Sequence, residues 1–381
     1  MAAALLVAPV TASAARDHGQ SAASATDASR PALQRSMAKV VAAGAPGIVA
    51  LIDDGSAATG ARPWTAARGV ADLRTRRAMT SHQRFRVGSV TKSFVATVAL
   101  QLVDEGRLSL SDTLASRLPG ILPYGDRVTL RQLLNHTSGI PEYAIGPRER
   151  VYRGERFRSW KPRRLVALIA DQPQQFPSGT AFSYSNTNYV LAGLMIEQAS
   201  GRSLASEIRR RILRPLHLRD TSFPVDVASI PGPSARGYSL DHRHGRPVAG
   251  RLRDLTVYNP SAVWASGNMV SDIDDVARFY RALLGGRLLS PARLAEMKAD
   301  GEPWMSGQRY GLGLHVIDTP CGPVFGHTGG VPGFANSAFS SEDGTLQIGV
   351  MMNVEDAPAR VESRFQRTLE QGVREAFAGR C

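Results

Sequence analysis

Apolar residues recur along the chain at two spacings, which divide it into helical and extended segments. Apolar positions every three or four residues indicate amphipathic helices, and short runs rich in Val, Ile and Phe between Gly, Pro or Asp indicate strands. Helices are predicted at residues 31–44, 91–105, 108–118, 129–134, 163–170, 187–200, 204–213, 272–284, 291–298 and 359–378. Strands are predicted at 48–52, in a run ending near 69–70, and at 85–87, 310–317, 324–328, 334–340 and 346–353.

The order of these segments predicts an α+β fold with two lobes. Connections of hairpin length, such as Asp343-Gly344 between the last two strands, imply antiparallel pairing. We expect residues 31–106 and 260–381 to join in one antiparallel β-sheet flanked by helices. Residues 107–259 then form an inserted all-helical domain. A chain of 381 residues is long enough to bury the core that such a unit needs.

The beginning of the chain has the pattern of a secretory signal peptide. An apolar stretch at residues 1–10 is followed by small residues at 12–14, which are typical of a cleavage site. We expect residues 1–14 to be removed, residues 15–30 to form a disordered leader, and the mature protein to be secreted to the cell wall or beyond. No other stretch approaches the roughly 20 apolar residues of a membrane span, so no membrane insertion is expected.

The chain has two cysteines, Cys321 and Cys381, and an even number suits an oxidising compartment. A disulfide between them closes a loop whose constraint stabilises the fold by roughly 4 kcal/mol in the chain-entropy model. Two unpaired thiols are the alternative. The disulfide is the prediction that agrees with secretion.

The net charge is +13, from 46 Lys and Arg against 33 Asp and Glu, and arginine dominates the basic residues. The densest basic stretch, residues 148–164, has two interpretations: contact with anionic cell-wall polymers, or solvated helix faces, which we favour. No basic and aromatic platform supports nucleic-acid binding. We expect a monomer that needs no cofactor and has no nucleic-acid partner.

The stretch FRVGSVTKSF joins a short alternating run to a helix and places Ser89 at the junction. At a helix start, unsatisfied N–H groups and the positive end of the helix dipole point towards this hydroxyl and any oxyanion beside it. Lys92 follows three residues later on the same helix face. In a water-poor pocket the pKa of its amine falls, and it becomes a base for the Ser89 hydroxyl.

The Ser-x-x-Lys spacing occurs twice and is weak evidence by itself. Ser36 and Lys39 also satisfy it, but they lie within an amphipathic helix with no strand leading in, and we interpret them as solvated helix residues. For Ser89 and Lys92 the alternative interpretation is a capping serine with a nearby lysine. Evidence from later in the chain decides between the two.

Two later patterns complete a candidate catalytic constellation. YSN places Tyr184 and Asn186 two residues apart in a loop before a helix. GHTGG places His327, Thr328 and Gly329 at a strand end, beside glycines that let another backbone approach. Each triplet alone is more often a turn or a sheet edge, but the three in this order favour catalysis.

The order Ser-x-x-Lys, Tyr-x-Asn, His-Thr-Gly resembles that of the serine β-lactamase and penicillin-binding protein superfamily. The stretches FRVGSVTKSF, LLNHTSGI, YSNTNYVLAGLMIE, ASGNMVSDIDDVARF, YGLGL and GHTGGVPGF look most like secreted actinomycete D-alanyl-D-alanine carboxypeptidases, relatives of class C β-lactamases. The resemblance covers nearly the whole mature chain. It implies the two-lobed fold, an active site between the lobes, and a cysteine bridge consistent with Cys321 and Cys381.

The resemblance implies a reaction through an acyl-enzyme on Ser89. Lys92 is implied either to accept the Ser89 proton or to act on the reaction through its positive charge. Tyr184 is implied to carry a proton between Ser89 and the leaving amine, a role that its usual pKa of about 10 fits only if Lys92 stabilises the phenolate. The backbone N–H groups of Ser89 and Gly330 are implied to form the oxyanion hole, typically worth about 3 kcal/mol per donor.

Further residues are implied to bind the substrate. Asn186 is expected to hydrogen-bond the penultimate amide, and His327 takes the place where many relatives have Lys. Thr328 and Gly329 are expected to pair with an extended substrate as an added strand. Trp264 is expected to wall the site, with a core position as the alternative.

The leading expectation is a D-alanyl-D-alanine carboxypeptidase that acts on peptidoglycan stem peptides and is acylated by β-lactams. Two departures weaken a clamp for the terminal carboxylate: His315 follows YGLGL where such enzymes can carry Arg, and Gly330 stands where they can carry a hydroxyl residue. A β-lactamase, an esterase and a D-aminopeptidase are the alternatives, and a non-catalytic cell-wall-binding module is a remote one. No metal site is expected, since His242 and His244 lack a clear third ligand.

Overall fold

A computed structural model describes most of the chain, at residues 30–55, 60–144, 151, 155–243, 246–299, 302–305, 308–319 and 322–377. The predicted signal peptide at 1–14 and the predicted leader, apart from Arg30, lie outside these residues. Cys321 and Cys381 lie outside them as well. Secretion and the disulfide therefore stay predictions.

Strands from the beginning and the end of the chain form one sheet. The strands are β1 (Gly47–Asp53), β2 (Trp64–Gly69), β3 (Phe85–Arg86), β4 (Tyr238–Arg243), β5 (Arg246–Asp254), β6 (Val270–Ser271), β7 (Glu302–Met305), β8 (Gln308–Tyr310), β9 (His315–Thr319), β10 (Gly322–Val331), β11 (Phe334–Ser341), β12 (Gln347–Met352) and β13 (Val354–Glu355). Eight of them lie in the order β2-β1-β12-β11-β10-β9-β8-β7, and all neighbours pair antiparallel. The prediction that the two ends of the chain share an antiparallel sheet is confirmed.

Helices cover the sheet and are the main regular elements in the middle of the chain. They are α1 (Pro31–Ala42), α2 (Thr91–Asp104), α3 (Leu114–Arg117), α4 (Leu130–Leu134), α5 (Pro162–Ala167), α6 (Asn186–Ser200), α7 (Leu204–Ile208), α8 (Ile273–Leu284), α9 (Pro291–Lys298) and α10 (Ala359–Ala376). Within the described ranges, none of them has both the length and the apolar content needed to cross a bilayer.

The two faces of the sheet pack against different helices. Successive side chains of a strand point to opposite faces. In β1, Val49 and Leu51 therefore enter the core that contains α2 and α8, whereas Ile48 and Ala50 enter the core beneath α1 and α10. The helix that follows the Ser89 junction thus lies on one face of the sheet, and the two terminal helices lie on the other.

The middle of the chain is less helical than predicted. Strands β4 and β5 pair antiparallel with each other, and β4 also pairs with β13, in a three-stranded sheet of order β13-β4-β5. The Tyr238 hydroxyl accepts a hydrogen bond from the Leu73 N–H at 2.8 Å, so a residue from an earlier segment of the chain holds β4 in place. The arginine-rich sequence of this strand pair lacks the alternation by which a strand is recognised.

Two predicted segments are broken by local hydrogen bonds. The predicted helix at 108–118 forms only as α3, because the Asp112 carboxylate accepts from the Ser109 N–H in a turn and Thr113 caps the helix after it. The predicted strand at 310–317 is divided between β8 and β9. Gly313, with φ +81°, makes the turn between them.

Candidate active site

A tight turn between β3 and α2 carries Ser89. β3 is held by antiparallel pairing with β6, and beyond it the Val87 N–H donates to the Met269 carbonyl at 2.9 Å. One 3₁₀ turn, Gly88–Val90, then runs directly into α2. The Ser89 hydroxyl is therefore fixed at the N-terminal end of a buried helix, as the sequence predicts, while its side chain stays partly exposed.

Lys92 is completely buried beneath Ser89. Its Nζ lies 2.9 Å from Ser89 Oγ, 2.8 Å from Asn186 Oδ1 and 2.7 Å from the Ser266 carbonyl oxygen. Burial lowers the pKa of the Lys92 amine to about 7, against an opposing effect of the Glu142 charge. Near neutral pH a large share of the amine is therefore uncharged and has a lone pair to accept the Ser89 proton.

Tyr184 contacts the same nucleophile from the opposite lobe. Its hydroxyl is hydrogen-bonded to the Ser89 side chain, and Lys92 Nζ lies 4.9 Å from the centre of its ring. Burial raises the pKa of the Tyr184 phenol well above its usual value near 10. The predicted phenolate is therefore not favoured, because the cost of burying its charge exceeds any stabilisation by Lys92; the phenol is the resting form.

Asn186 is the first residue of α6, and its side chain is held on both sides. Its Oδ1 accepts from Lys92, and its Nδ2 donates to Glu142 Oε2 at 2.9 Å. The same carboxylate oxygen accepts from the Asn186 backbone N–H at 2.7 Å. Asn186 therefore links the base to Glu142, a role in addition to the substrate contact predicted for it.

Strand β10 presents an open edge beside the nucleophile. Its pairing with β9 ends at Gly326, so in the described structure residues 327–331 have no partner strand on that side. A Cβ atom on Gly329 would lie 2.0 Å from the Val87 carbonyl oxygen and 3.1 Å from the Ser89 nitrogen. The strand and the nucleophile turn therefore touch through their backbones, with no space for a side chain.

This contact sets up the predicted oxyanion hole. Gly88 has φ +56°, and a Cβ on it would lie 3.0 Å from the Gly330 nitrogen, so Gly330 is next to the turn. Asn336 on β11 ties the two elements together, because its Nδ2 donates to the carbonyls of Arg86 at 3.0 Å and Gly329 at 3.3 Å. The backbone nitrogens of Ser89 and Gly330 therefore belong to elements in direct contact, as the predicted oxyanion hole requires.

His327 and Thr328 have different positions relative to the cavity. Thr328 lines it, whereas His327 is buried: its Nδ1–H donates to the Thr328 carbonyl and its Nε2 accepts from the Tyr310 hydroxyl at 2.9 Å. Burial, and then the charge of Lys92, lower the pKa of His327 to about 3. His327 is therefore neutral and does not supply the charge of the lysine that it replaces.

His315 does not restore the missing charge either. Its ring lies 4.0 Å from the ring of His327, and it lines the cavity from a buried position. Burial and the neighbouring cationic groups lower the pKa of His315 well below its usual value. Neither imidazole is positively charged at neutral pH.

Trp264 belongs to the core and not to the predicted wall of the site. It is only 3% exposed, and a Cβ on Gly193 of α6 would lie 2.9 Å from its indole ring. Its neighbours Val263 and Ser266 line the cavity instead. The buried position of Trp264 is therefore explained by its packing against α6 at Gly193.

The groups converge on a cavity of about 300 Å³. Its lining includes the groups of the predicted constellation: Ser89, Tyr184, Asn186, Thr328 and Gly330. The lining is otherwise mostly apolar and includes Ala144, Val151, Tyr258, Val263, Val331 and Pro332. No Lys or Arg is found among the described residues that line it.

Three residues of the site were missed by sequence reasoning. Glu142 and Ser266 act on Lys92 through a charge and a backbone carbonyl, and neither leaves a motif. His136 lies in the quoted stretch LLNHTSGI, and its Nδ1 accepts from the Ser185 N–H at 3.2 Å. Its ring lies 4.2 Å from that of Tyr184, so it supports the loop that carries the phenol.

Known proteins share this fold and much of this sequence. The sequence model of the Beta-lactamase family matches residues 32–372. A D-stereospecific amidohydrolase from Streptomyces sp. is 36% identical, with a TM-score of 0.80 over 92% of this chain and 99% of that one. A D-amino acid amidase from Ochrobactrum anthropi SV3 is 28% identical, with a TM-score of 0.78 over 91% and 99%.

A third similarity is to a curated bacterial sequence. The putative penicillin-binding protein PbpX of Bacillus subtilis (strain 168) is 28% identical over 75% of this chain and 67% of its own length. The family match covers almost the whole described structure. The chain therefore belongs to the β-lactamase family, within the superfamily of serine β-lactamases and penicillin-binding proteins.

Proposed function

We propose that this serine hydrolase cleaves D-amino-acid amides and peptides with a free amino end, through an acyl-enzyme on Ser89. The observation that carries the proposal is the charge around the cavity. No Lys or Arg lines it in the described structure, and both His315 in its lining and the buried His327 behind it are neutral, so among the described lining residues a substrate carboxylate has no cation to bind. The departures at His315 and Gly330 agree with this.

The rim of the cavity favours a positive group instead. Glu142 Oε1 accepts from the Ala144 N–H at 2.6 Å and its Oε2 accepts from Asn186, and both partners line the cavity. A carboxylate at this position attracts the ammonium of a free amino acid amide. The similarity to the D-stereospecific amidohydrolase and to the D-amino acid amidase supports the same substrate class.

Acylation starts with a proton transfer to the neutral Lys92 amine. Ser89 Oγ, 2.9 Å away, loses its proton as it attacks the substrate carbonyl carbon. The carbonyl oxygen becomes an oxyanion, which the N–H groups of Ser89 and Gly330 stabilise by about 3 kcal/mol each. The base needs no carboxylate partner, because burial alone makes the amine available at neutral pH.

Collapse of the tetrahedral intermediate expels the leaving amine. Tyr184 is protonated and touches Ser89, so its phenol is placed to give a proton to the amine nitrogen as the C–N bond breaks. Lys92 returns its proton towards Tyr184. A water molecule then attacks the ester carbon and gives a proton to Lys92. The bond between that carbon and Ser89 Oγ breaks, Ser89 Oγ takes the proton from Lys92, and the acid product leaves.

The apolar wall is proposed to take the side chain of the acyl residue. This wall is the apolar part of the cavity lining, which includes Tyr258, Val263, Val331 and Pro332. Burial of apolar area at about 25 cal/mol per Å² then favours an aromatic or branched side chain over that of alanine. We infer a preference for bulky apolar D-residues.

A substrate panel tests the proposed function. The enzyme is incubated with D-Phe amide, L-Phe amide, an N-acylated peptide ending in D-Ala-D-Ala, a chromogenic cephalosporin and a nitrophenyl ester, with Ser89→Ala as the control. We expect D-Phe amide to be turned over fastest and all turnover to be lost in Ser89→Ala. Faster release of D-Ala from the N-acylated peptide would contradict the proposal and support the carboxypeptidase.

Two further results have clear meanings. Rapid turnover of the cephalosporin would support a β-lactamase, and turnover of the nitrophenyl ester alone would support an esterase. Turnover of D-Phe amide that survives in Ser89→Ala would show that the nucleophile is another residue.

A further inference from the structure

A groove between α1 and α10 has a high density of positive charge. Two adjoining cavities of about 350 and 360 Å³ form it, and they share Lys39 and Arg364. Six cationic side chains line the groove: Arg35, Lys39, Arg360, Arg364, Arg367 and Arg374. Glu370 is the only carboxylate among its described lining residues.

Acidic side chains of the described residues do not pair with these charges. In the part of the chain that the structure describes, none of the six cations takes part in an ion pair. Their hydrogen bonds go to neutral groups: Arg360 Nε donates to the Ala43 carbonyl at 3.0 Å, and Arg367 donates to Ser363 Oγ at 3.3 Å. Arg374 donates to the Gln371 side chain. The groove therefore has an unbalanced positive charge.

The second Ser-x-x-Lys pattern of the sequence lies in this groove. Ser36 Oγ and Thr368 Oγ1 are 2.9 Å apart and join the two helices, and Lys39 lies one turn further along α1 with its side chain exposed. Ser36 has no buried base beside it. The motif therefore marks part of a cationic surface and not a second nucleophile.

The position of the groove leaves the active site accessible. The apolar faces of α1 and α10, including Leu33, Met37, Phe365 and Leu369, are buried against the sheet. The nucleophile helix α2 packs on the opposite face of the same sheet. A ligand in the groove therefore does not cover the cavity beside Ser89.

Two kinds of partner fit this surface poorly. A helix that lies in a lipid bilayer exposes apolar side chains, but the large exposed apolar residues of the described structure are Phe157, Leu168, Val225 and Val227, all outside the groove. Binding of single-stranded nucleic acid uses aromatic side chains that stack on bases. No aromatic residue is among the described residues that line the groove.

We propose that this groove binds a linear phosphodiester polyanion without bases, such as a glycerol phosphate polymer of a cell envelope. Between Arg360 and Arg374 the cations follow α10 for about 21 Å of helix axis, a length that suits repeated charges better than a single phosphate. Arginine side chains bind phosphate oxygens through paired N–H groups. The groove thereby attaches the enzyme to an anionic support while its active site stays open.

The test compares two triple variants of the full chain that lose the same charge. Lys39→Gln/Arg364→Gln/Arg367→Gln neutralises the groove. Lys161→Gln/Arg163→Gln/Arg164→Gln neutralises an exposed lysine and two exposed arginines at the start of α5, in the densest basic stretch of the sequence. Binding of fluorescent poly(glycerol phosphate) is measured by anisotropy at several salt concentrations.

We expect the groove variant to raise Kd at least tenfold at low salt. Its plot of log K against log salt loses about two units of slope, because three fewer counterions are displaced. The control variant changes Kd by less than a factor of two or so. Thermal unfolding midpoints verify that both variants fold, and Arg367→Gln alone, at an exposed position, replaces the triple variant if it does not fold.

Three results would overturn the proposal. The first is equal weakening in both triple variants, which would mean that binding follows net charge alone. The second is weakening only in the α5 variant, which would place the surface there. The third is tighter binding of duplex DNA or of anionic phospholipid vesicles than of the glycerol phosphate polymer, which would identify a different partner.

Discussion

At the scale of single residues, the site depends on one amine whose charge is suppressed by burial. Lys92 Nζ has three acceptors, Ser89, Asn186 and Ser266, yet none is a carboxylate. Glu142 does not contact it directly: Asn186 lies between them, and the Glu142 charge acts on Lys92 from a distance. The effect of desolvation on the pKa therefore exceeds that of the nearby negative charge, and the amine can act as a base.

This arrangement predicts how acylation depends on pH. The reactive form of Lys92 is neutral and its pKa is lowered to about 7, so activity is lost as the pH falls below 7. We expect the rate of Ser89 labelling by fluorescent penicillin to fall about tenfold per unit below pH 6 and to level off above pH 8. A rate that is constant down to pH 5 would contradict Lys92 as the base.

The backbone contact at Gly329 predicts a second result. Gly329→Ala places a Cβ 2.0 Å from the Val87 carbonyl, so the strand or the turn must move. We expect the variant to lose about 1–3 kcal/mol of stability and about 100-fold in acylation rate. Chemical denaturation and penicillin labelling measure the two effects.

A neighbouring glycine supplies the control for stability. A Cβ on Gly330 would have as its nearest neighbour the Glu355 side chain at 3.9 Å, so Gly330→Ala fits without displacement. Its unfolding free energy should equal that of the parent. If the two alanine variants unfold alike, the close contact at Gly329 does not constrain the fold.

Sequence motifs predicted the residues that react, but not the residues that position them. Ser89, Lys92 and Tyr184 stand at motif spacings, and the structure brings all three together. Ser266 contributes only a carbonyl oxygen, which any residue type has, so its role depends on the fold alone. Trp264 shows the opposite case, because an aromatic residue near the motifs fills the core.

At the scale of elements, helix α8 has a capping residue with an unusual charge state. Asp272 Oδ1 accepts from the Asp275 N–H at 2.8 Å at the start of the helix. Burial, together with the nearby carboxylates of Asp275, Asp274 and Asp220, raises the pKa of Asp272 to about 7. α8 in turn supports α2, through the Phe94–Phe279 ring stack at 3.6 Å.

The cap predicts that stability depends on pH with a definite sign. The folded state holds the Asp272 proton up to about pH 7, and the unfolded chain releases it near pH 4, so raising the pH from 4 to 7 destabilises the fold through this group. Asp272→Asn keeps a capping oxygen and cannot ionise. We expect it to be more stable than the parent by about 1 kcal/mol or more at pH 8, and equal at pH 4.

Chemical denaturation at the two pH values measures the Asp272 effect. Ser290, which caps α9 through a hydroxyl, supplies a matched control, since Ser290→Asn also replaces one capping side chain by another. Its effect should be the same at both pH values. An Asp272→Asn effect that does not change with pH would mean that the carboxyl titrates normally.

Most long elements were predictable because one face of each is buried. Helix α10, with Val361, Phe365 and Leu369 in the core, begins at the predicted residue. The strand pair β4–β5 was not predictable, because the pairing of β4 with β13 depends on a segment more than a hundred residues later. Local hydrogen bonds of Asp112 and Thr113 similarly replaced a predicted helix with a turn.

At the scale of the whole molecule, the last strands and the last helix of the chain pack against the first ones. Strand β12 pairs with β1, and α10 packs against α1 on the outer face of the sheet. The sequence predicted this arrangement from the order of segments. The assignment of 107–259 as all-helical was too simple, since its last part turns back to pair beside β13.

The proposed bridge between Cys321 and Cys381 has a direct test. We expect intact-mass analysis of protein treated with an alkylating reagent under denaturing conditions to show no added group, and two added groups after prior reduction. The bridge would stabilise the fold by roughly 4 kcal/mol in the chain-entropy model. Two alkylated cysteines without prior reduction would show that Cys321 and Cys381 are not bridged.

The backbone contact at Gly329 leaves no space for a larger residue, so this position cannot be varied in protein design. Other residues that line the cavity can be varied. Both donors of the predicted oxyanion hole are peptide N–H groups, so a side-chain exchange elsewhere in the cavity lining does not remove them. A saturation library at Val151, Val263 and Val331 should therefore yield variants with altered substrate range and unimpaired penicillin labelling. New specificities would then be reachable by few mutational steps from this scaffold.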